Sequence, residues 1–263
     1  MDSALMMSQS SAQKLRVIWI NNANLGCAFD KLFKPIPSID LVEPKIASLY
    51  VEPSEIIVSN KLKKGLLTHL SKLYKRAYFD RVIYPADMAS IVRSSAENNR
   101  LAAIGTFHRG LIITDQPFYK SNSYQNFQPI DSLAQEIAAR TAEFNNHTIG
   151  IHIRRGDNQA SIRNSPTSIF FEAISNEISR RPEAKFYVAS DDLSVKQNLC
   201  EQFGKRIITS LEKTSRNTES GIQAAVVDLY ALSKTQKIYG SYWSSYSIAA
   251  ATLAGAELVI LRA

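Results

Sequence analysis

Short apolar runs separated by turn-prone polar residues are clearest in the second half of the chain. There His147–Ile153, Lys185–Ser190, Lys205–Thr209, Gln236–Gly240 and Ala256–Leu261 read as strands. Between them, Leu133–Phe144, Thr167–Arg180, Leu193–Phe203, Ser220–Ser233 and Ser244–Leu253 carry helical spacing. The strands are short and nearly all apolar, as strands covered on both faces of a parallel sheet must be. Right-handed crossovers then predict an open, doubly wound sheet whose ligands lie outside the carboxyl ends of the strands.

The first half is less regular. Leu15–Ile20, Ile39–Val42, Ile56–Val58 and Phe79–Tyr84 read as strands, Lys61–Tyr74 and Pro85–Asn99 as helices. LAAIGTF (Leu101–Phe107) and GLIIT (Gly110–Thr114) read as two further short strands or as one interrupted strand. Gln116–Gln128 has no period and reads as a connection. The expected organisation is a disordered lead-in over 1–14, an α/β domain over 15–130 and a Rossmann-like domain over 131–263.

Composition bounds the picture without deciding it. With 45% hydrophobic residues, the 263-residue chain can bury a core. Its formal charge of +7 suits a phosphorylated ligand, a nucleic acid or an anionic surface. The basic residues lack interleaved aromatic stacking platforms, so no nucleic-acid partner is expected. The densest basic patches, Lys61–Gly65 and Lys75-Arg76, fall on a stretch with Leu62, Leu66, Leu67, Leu70 and Leu73 at helical spacing, and read as a solvated helix face. Two distant cysteines, Cys27 and Cys200, support neither a disulfide framework nor a zinc cluster and fit a cytoplasmic setting. No apolar run approaches the roughly 18 residues of a membrane span, and the first residues do not read as a secretory signal.

The chemistry-bearing residues gather at predicted strand ends. In IHIRRGDN, Arg154, Arg155 and Asp157 fall at or beyond the carboxyl end of a strand, and His152 shares a face with Arg154. Paired guanidinium groups suit a diphosphate through planar, charge-assisted hydrogen bonds, although an Arg–Asp surface pair would look the same. In GSYWSSYS, Ser244 and Ser245 sit at a strand-to-helix junction, where they read either as an anion site or as ordinary helix caps. Asp228 lies among Val226, Val227, Leu229 and Leu232, so it needs a ligand or an arginine partner.

Taken together, these residues resemble the fucosyltransferase superfamily, which includes the α1,6-, α1,2-, protein O- and nodulation fucosyltransferases. The shared pattern H-x-R-R-x-D is matched by His152, Arg154, Arg155 and Asp157, and A-[ST]-D-D by Ala189 to Asp192. A third element, D-x-x-x-L followed by a strand and a serine pair, is matched by Asp228, Leu232, Ser244 and Ser245. The resemblance covers His147 to Ala254 and implies a GT-B fold of two Rossmann-like domains. It further implies an inverting glycosyltransferase with no metal or other cofactor, using GDP-fucose as donor and a glycan or other hydroxyl as acceptor. Arg154 would stabilise the departing diphosphate, His152 and Asp228 would hold the nucleotide with Asp228 reading guanine, and Ser244 and Ser245 would bind phosphate. The Gly-rich loop that follows the first strand in this family is reduced to NNANLGCAFD, which keeps only Gly26. Asp30, Glu52, Glu55 and Asp87 are unranked candidates for the catalytic base. The alternative is a non-catalytic nucleotide-binding protein derived from the transferase fold.

Overall fold

The computed structural model describes residues 1–11, 14–20, 26–42, 47–51, 61–114, 116–121, 123–156, 158–212, 215 and 217–263. They form two compact units. The first holds α1 (Asp2–Ser11), β1 (Leu15–Ile18), β2 (Ile39–Val42), α2 (Lys61–Tyr78), β3 (Arg81–Ile83), α3 (Pro85–Ser94), α4 (Arg100–Ile104) and β4 (Gly110–Ile112). Its described strands make two separate parallel pairs, β1–β2 and β3–β4. Met7, Ile83, Met88, Ile104, Phe118 and Tyr119 form its core.

The second unit holds α5 (Asp131–Arg140), β5 (Thr148–Ile153), α6 (Gln159–Asn164), α7 (Thr167–Arg180), β6 (Lys185–Ser190) and α8 (Leu193–Phe203). It continues through β7 (Ile207–Ile208), α9 (Glu219–Leu232), β8 (Lys237–Ser241), α10 (Ser245–Ala254) and β9 (Glu257–Leu261). Its five strands are all parallel, in the order β7-β6-β5-β8-β9. Every residue of β5 is buried, because helices cover both faces. On one face Ile149, Ile151 and Ile153 pack with Phe170 and Ile174 of α7 and Leu199 of α8. On the other, Tyr187, Ala189 and Ile238 pack with Ala231 and Leu232 of α9 and Ala250 and Ala251 of α10.

Two glycines set how closely the helices of that second face approach. A Cβ on Gly150 would lie 2.8 Å from Thr235 Oγ1, and one on Gly240 would lie 2.6 Å from Ser247 Oγ. Such contacts fall well inside van der Waals separation. The alanine-rich α10 therefore rests almost directly on the β8 backbone.

The strand order has a functional consequence. From β5 the chain winds one way through β6 and β7, then returns to β8 on the opposite side of β5 and continues to β9. The reversal lies between β5 and β8, and the crevice outside their carboxyl ends is where a doubly wound sheet binds its ligand.

Several sequence expectations are corrected. The lead-in contains a helix rather than disorder: Leu5 and Met7 of α1 are buried, Ser3 Oγ donates to Tyr119 O at 3.2 Å, and Ser121 Oγ donates to Asp2 Oδ2 at 2.6 Å. Leu101–Ile104 of the expected strand LAAIGTF lie in helix α4, closed by Gly105 at φ +79°. Lys75 is not on a solvated face; it is buried, donates to Val51 O and lies over the Tyr84 ring. Residues 26–34 belong to the second unit, where Lys34 N donates to Gln128 O and Ile130 N donates to Leu32 O. The expected strand at Ile56–Val58 lies outside the described residues.

The close approach at Gly240 is testable. Gly240→Ala should destabilise the protein by roughly 1–3 kcal/mol, the range for overpacking a filled site. Urea unfolding measures it, and a midpoint equal to that of the unsubstituted protein contradicts the packing described.

Candidate functional site

The loop after β5 is built around one carboxylate. Asp191, at the end of β6, accepts the Arg155 N–H at 2.7 Å on Oδ1 and the Gly156 N–H at 3.0 Å on Oδ2. The same Oδ2 pairs with Arg154 Nη1 at 2.8 Å. A Cβ at position 156 would lie 2.8 Å from that oxygen, so a side chain there would push the carboxylate out of place. Arg154 N donates to Ser241 Oγ at 2.9 Å, so the residue is fastened to both sides of the crevice, β6 on one and β8 on the other.

The neighbouring arginine does something different. Arg155 donates through Nε to Thr167 Oγ1 at 3.0 Å, through Nη1 to Arg154 O at 2.8 Å and through Nη2 to Ser165 O at 2.7 Å, and lies over the Phe170 ring. Its guanidinium is turned into its own unit, fixing the α6–α7 turn. This corrects the expectation that it faces a ligand beside Arg154. Asp157 lies outside the described residues.

On the other side of the crevice stands the start of α10. Ser244 occupies the N-cap position without a side-chain cap bond. Its buried hydroxyl lies 3.4 Å from His152 Nδ1, and Ser247 Oγ lies 2.7 Å from the same nitrogen. Ser245 is exposed. The first-turn N–H groups of the helix therefore point at the crevice uncapped by Ser244, with the positive end of the helix dipole behind them.

His152 joins the two halves of the crevice. It is buried, shares its Nδ1 with the two α10 serines and stacks on Tyr246 with ring centroids 4.6 Å apart. Burial pulls its pKa down to about 4, against a partly opposing Asp191, so the ring is neutral near pH 7. Tyr246 continues the chain of contacts by donating to Ala225 O of α9 at 2.6 Å.

Asp228, three residues further along α9, does have an arginine partner. Its Oδ1 accepts from Arg140 Nη1 at 3.1 Å and from the Tyr187 hydroxyl at 2.5 Å. Its side chain is 15% exposed, and burial holds its pKa above the usual carboxylate value. Both hydrogen bonds fall on one oxygen. Any contact of Asp228 with a base, the role that the family resemblance implies, would therefore fall to Oδ2.

Trp243 was not singled out from sequence. It is 74% exposed and sits at φ +54°, a left-handed conformation unusual for a bulky residue. Asn158, next after the described end of the Arg154 loop, holds it there by donating to Trp243 O at 2.9 Å. Nothing in the spacing of GSYWSSYS announces that backbone geometry. Beside the crevice, a groove of about 410 Å³ is lined by Asp191, Asp192, Ser194, Lys196 and Glu212. Asp192 caps α8 by accepting from Ser194 N at 2.8 Å. Among the described residues no group of three or more His, Cys, Asp or Glu could hold a metal ion.

Of the candidate bases, Asp87 accepts from Tyr84 N at 3.1 Å and closes the first turn of α3. Asp30 is exposed in the second unit, and Glu52 and Glu55 lie outside the described residues. Among the described residues no helix is long and apolar enough to cross a membrane.

Comparison with solved structures decides what this architecture is. A NodZ α-1,6-fucosyltransferase soaked with GDP-fucose superposes with a TM-score of 0.59 at 12% identity, over 96% of this chain and 86% of that one. The fold is that of the GT-B fucosyltransferases. Arabidopsis thaliana FUT1, as an R284K mutant with GDP, gives 0.54 at 14% identity over 99% and 66% of the two chains. POFUT1 with GDP gives 0.54 at 12% over 99% and 94%. No protein-family model and no curated protein sequence matches the chain.

The buried neutral His152 makes stability depend on pH. Its folded pKa lies below the unfolded value near 6.5, so the unfolded chain binds the extra proton first as pH falls. Its contribution is complete above about pH 6.5 and is lost down to about pH 4, on the order of 3 kcal/mol in all. His152→Gln should flatten that part of the profile. Denaturant unfolding between pH 4 and pH 7.5 measures the difference, and parallel profiles would contradict it.

Proposed function

We propose that this protein is an inverting glycosyltransferase that moves fucose from GDP-fucose to a hydroxyl acceptor without a metal ion. One observation carries the reading. Arg154 stands at the carboxyl end of β5, at the reversal point of the sheet, opposite the N-terminus of α10. That is an anion site in the place where this fold binds ligands. Solved structures of this fold carry GDP or GDP-fucose.

In the proposed step the acceptor oxygen forms a bond to fucose C1 as the bond from C1 to the β-phosphate oxygen breaks. The acceptor proton passes to a base, and the electron pair leaves with GDP. Negative charge grows on the diphosphate, and Arg154 with the α10 N–H groups and the hydroxyls of Ser244 and Ser245 would meet it. Fixed dipoles and a guanidinium supply the stabilisation that a divalent cation supplies elsewhere. Asp191 holds the guanidinium in position beforehand, and Arg155 acts by shaping the loop. His152 is a positioning residue in this scheme, setting the α10 serines against β5. Trp243 offers an exposed ring at the edge of the crevice for a base or sugar to stack on.

Arg154→Ala should lower fucosyl transfer, or GDP-fucose hydrolysis where no acceptor is supplied, by roughly 100- to 1,000-fold. Lysine should restore little, since a point charge cannot reproduce the guanidinium fork. The unsubstituted protein should keep its rate in EDTA. Near-normal turnover by the alanine variant removes the mechanism.

Guanine selection rests on Asp228 Oδ2. GDP should bind about tenfold or more tightly than UDP or ADP, a difference of about 1.4 kcal/mol per factor of ten. Asp228→Asn should narrow that gap, and it should also lower stability, because Arg140 and Tyr187 lose a charged partner. Calorimetry of the three nucleotides separates the roles: lower stability with an unchanged affinity order means Asp228 serves the fold alone.

A further inference from the structure

α2 turns the wrong face to solvent for a packed amphipathic helix. Its buried positions are Ser71 and Lys75, flanked by half-buried Leu67 and Tyr74. Ser71 Oγ donates to Leu49 O at 3.4 Å and Lys75 to Val51 O, so this face lies against residues 47–51. The apolar stripe points outward. Leu66 is 61% exposed, Leu70 45% and Leu73 52%, at spacings of four and three that place them on one line. Ala77 extends that line, also exposed.

Charge shows what covers the stripe. Lys61–Tyr78 contains five lysines and one arginine and no carboxylate. At 100° per residue, exposed His69 and Arg76 border the stripe on one side and exposed Lys63 on the other, with exposed Lys72 about 40° beyond Arg76. A second copy of the helix would bring like charges within a Debye length of about 8–10 Å, which opposes pairing. An anionic lipid surface has the opposite charge and an apolar interior. A leucine stripe rimmed by cations is the pattern of a helix lying in the plane of that interface. Exposed Tyr78, at the end of α2 and stacked on Tyr74, adds an aromatic ring of the kind that prefers the headgroup region.

We propose that α2 docks the protein on membranes containing anionic lipid, with Leu66, Leu70 and Leu73 inserted and Lys72 and Arg76 at the headgroups. This attachment lies in-plane and is reversible, and it is independent of which donor the second unit takes. It would hold the protein beside acceptors displayed at a lipid surface.

Vesicle co-sedimentation tests it with the full chain. The protein should pellet with phosphatidylcholine vesicles carrying about one-third phosphatidylglycerol and stay in solution with phosphatidylcholine alone. Raising the salt should release it. Leu66→Ser/Leu70→Ser/Leu73→Ser keeps every charge and should lower partitioning by roughly a hundredfold or more. Lys72→Gln with Arg76→Gln should lower it about twenty-fivefold, near fivefold per cation. All five positions are exposed, so unfolding midpoints and nucleotide affinity should stay unchanged, which separates failure here from failure of the transferase reading. Absence of pelleting, or equal pelleting of the triple-serine variant, overturns the proposal. So does a stable dimer in sedimentation velocity that the serine substitutions abolish, since another copy then covers the stripe.

Discussion

The carboxylate of Asp191 organises the second unit's crevice. Three donors from one loop, two backbone N–H groups and the Arg154 guanidinium, converge on its two oxygens. That convergence favours glycine at 156, sets the direction of Arg154 and ties the end of β5 to the end of β6. Remove the charge and the loop loses its common acceptor. The hydroxyl of Ser241 performs the matching task from β8. The site is thus assembled from strand ends held in register by the sheet, so its precision comes from backbone pairing rather than from loop packing.

Burial explains the behaviour of the remaining polar groups. His152 sits where solvent cannot reach it, and its neutral ring makes a hinge between β5 and α10. Arg140 and Tyr187 stabilise the Asp228 carboxylate, while burial, the larger effect, raises its pKa. The two groups meet through Tyr246, which stacks on one and anchors to the helix carrying the other. Residues far apart in the chain are in this way mechanically joined behind the crevice.

Much of the second unit was legible because its strands are apolar: TIGIHI and KFYVAS, buried almost throughout, and ELVIL, at the sheet edge, stand out whatever the rest of the chain does. The position of Arg154 followed from strand direction alone. Arg155 did not, because its partners Ser165 and Thr167 lie after an unforeseen short helix, α6, and an adjacent arginine pair looks alike in sequence whichever way each side chain turns. LAAIGTF was misread because a short apolar run suits a strand and a buried helical turn equally. In α2 the leucine periodicity identified a stripe but not the side of the helix that packs. Ser71 and Lys75 hold the inner face through carbonyl partners that no hydrophobic pattern records. The backbone of Trp243 left no mark at all.

The return of residues 26–34 to the second unit bears on how the chain can be dissected. Phe29 and Leu32 are buried there, Phe33 meets Phe127 edge-on at 5.9 Å, and Gln223 donates to Lys31 O at 3.1 Å. A fragment begun at Asp131 would strip these partners from α9 and expose the apolar surface they cover. A single cut between residues 122 and 123 would keep the whole first unit on one fragment and leave the second unit without residues 26–34. The two units alternate along the sequence, so no single scission yields the second one whole. Obtaining the second unit whole would require joining residues 26–34 directly to residues 123–263, with the intervening segment of the first unit removed.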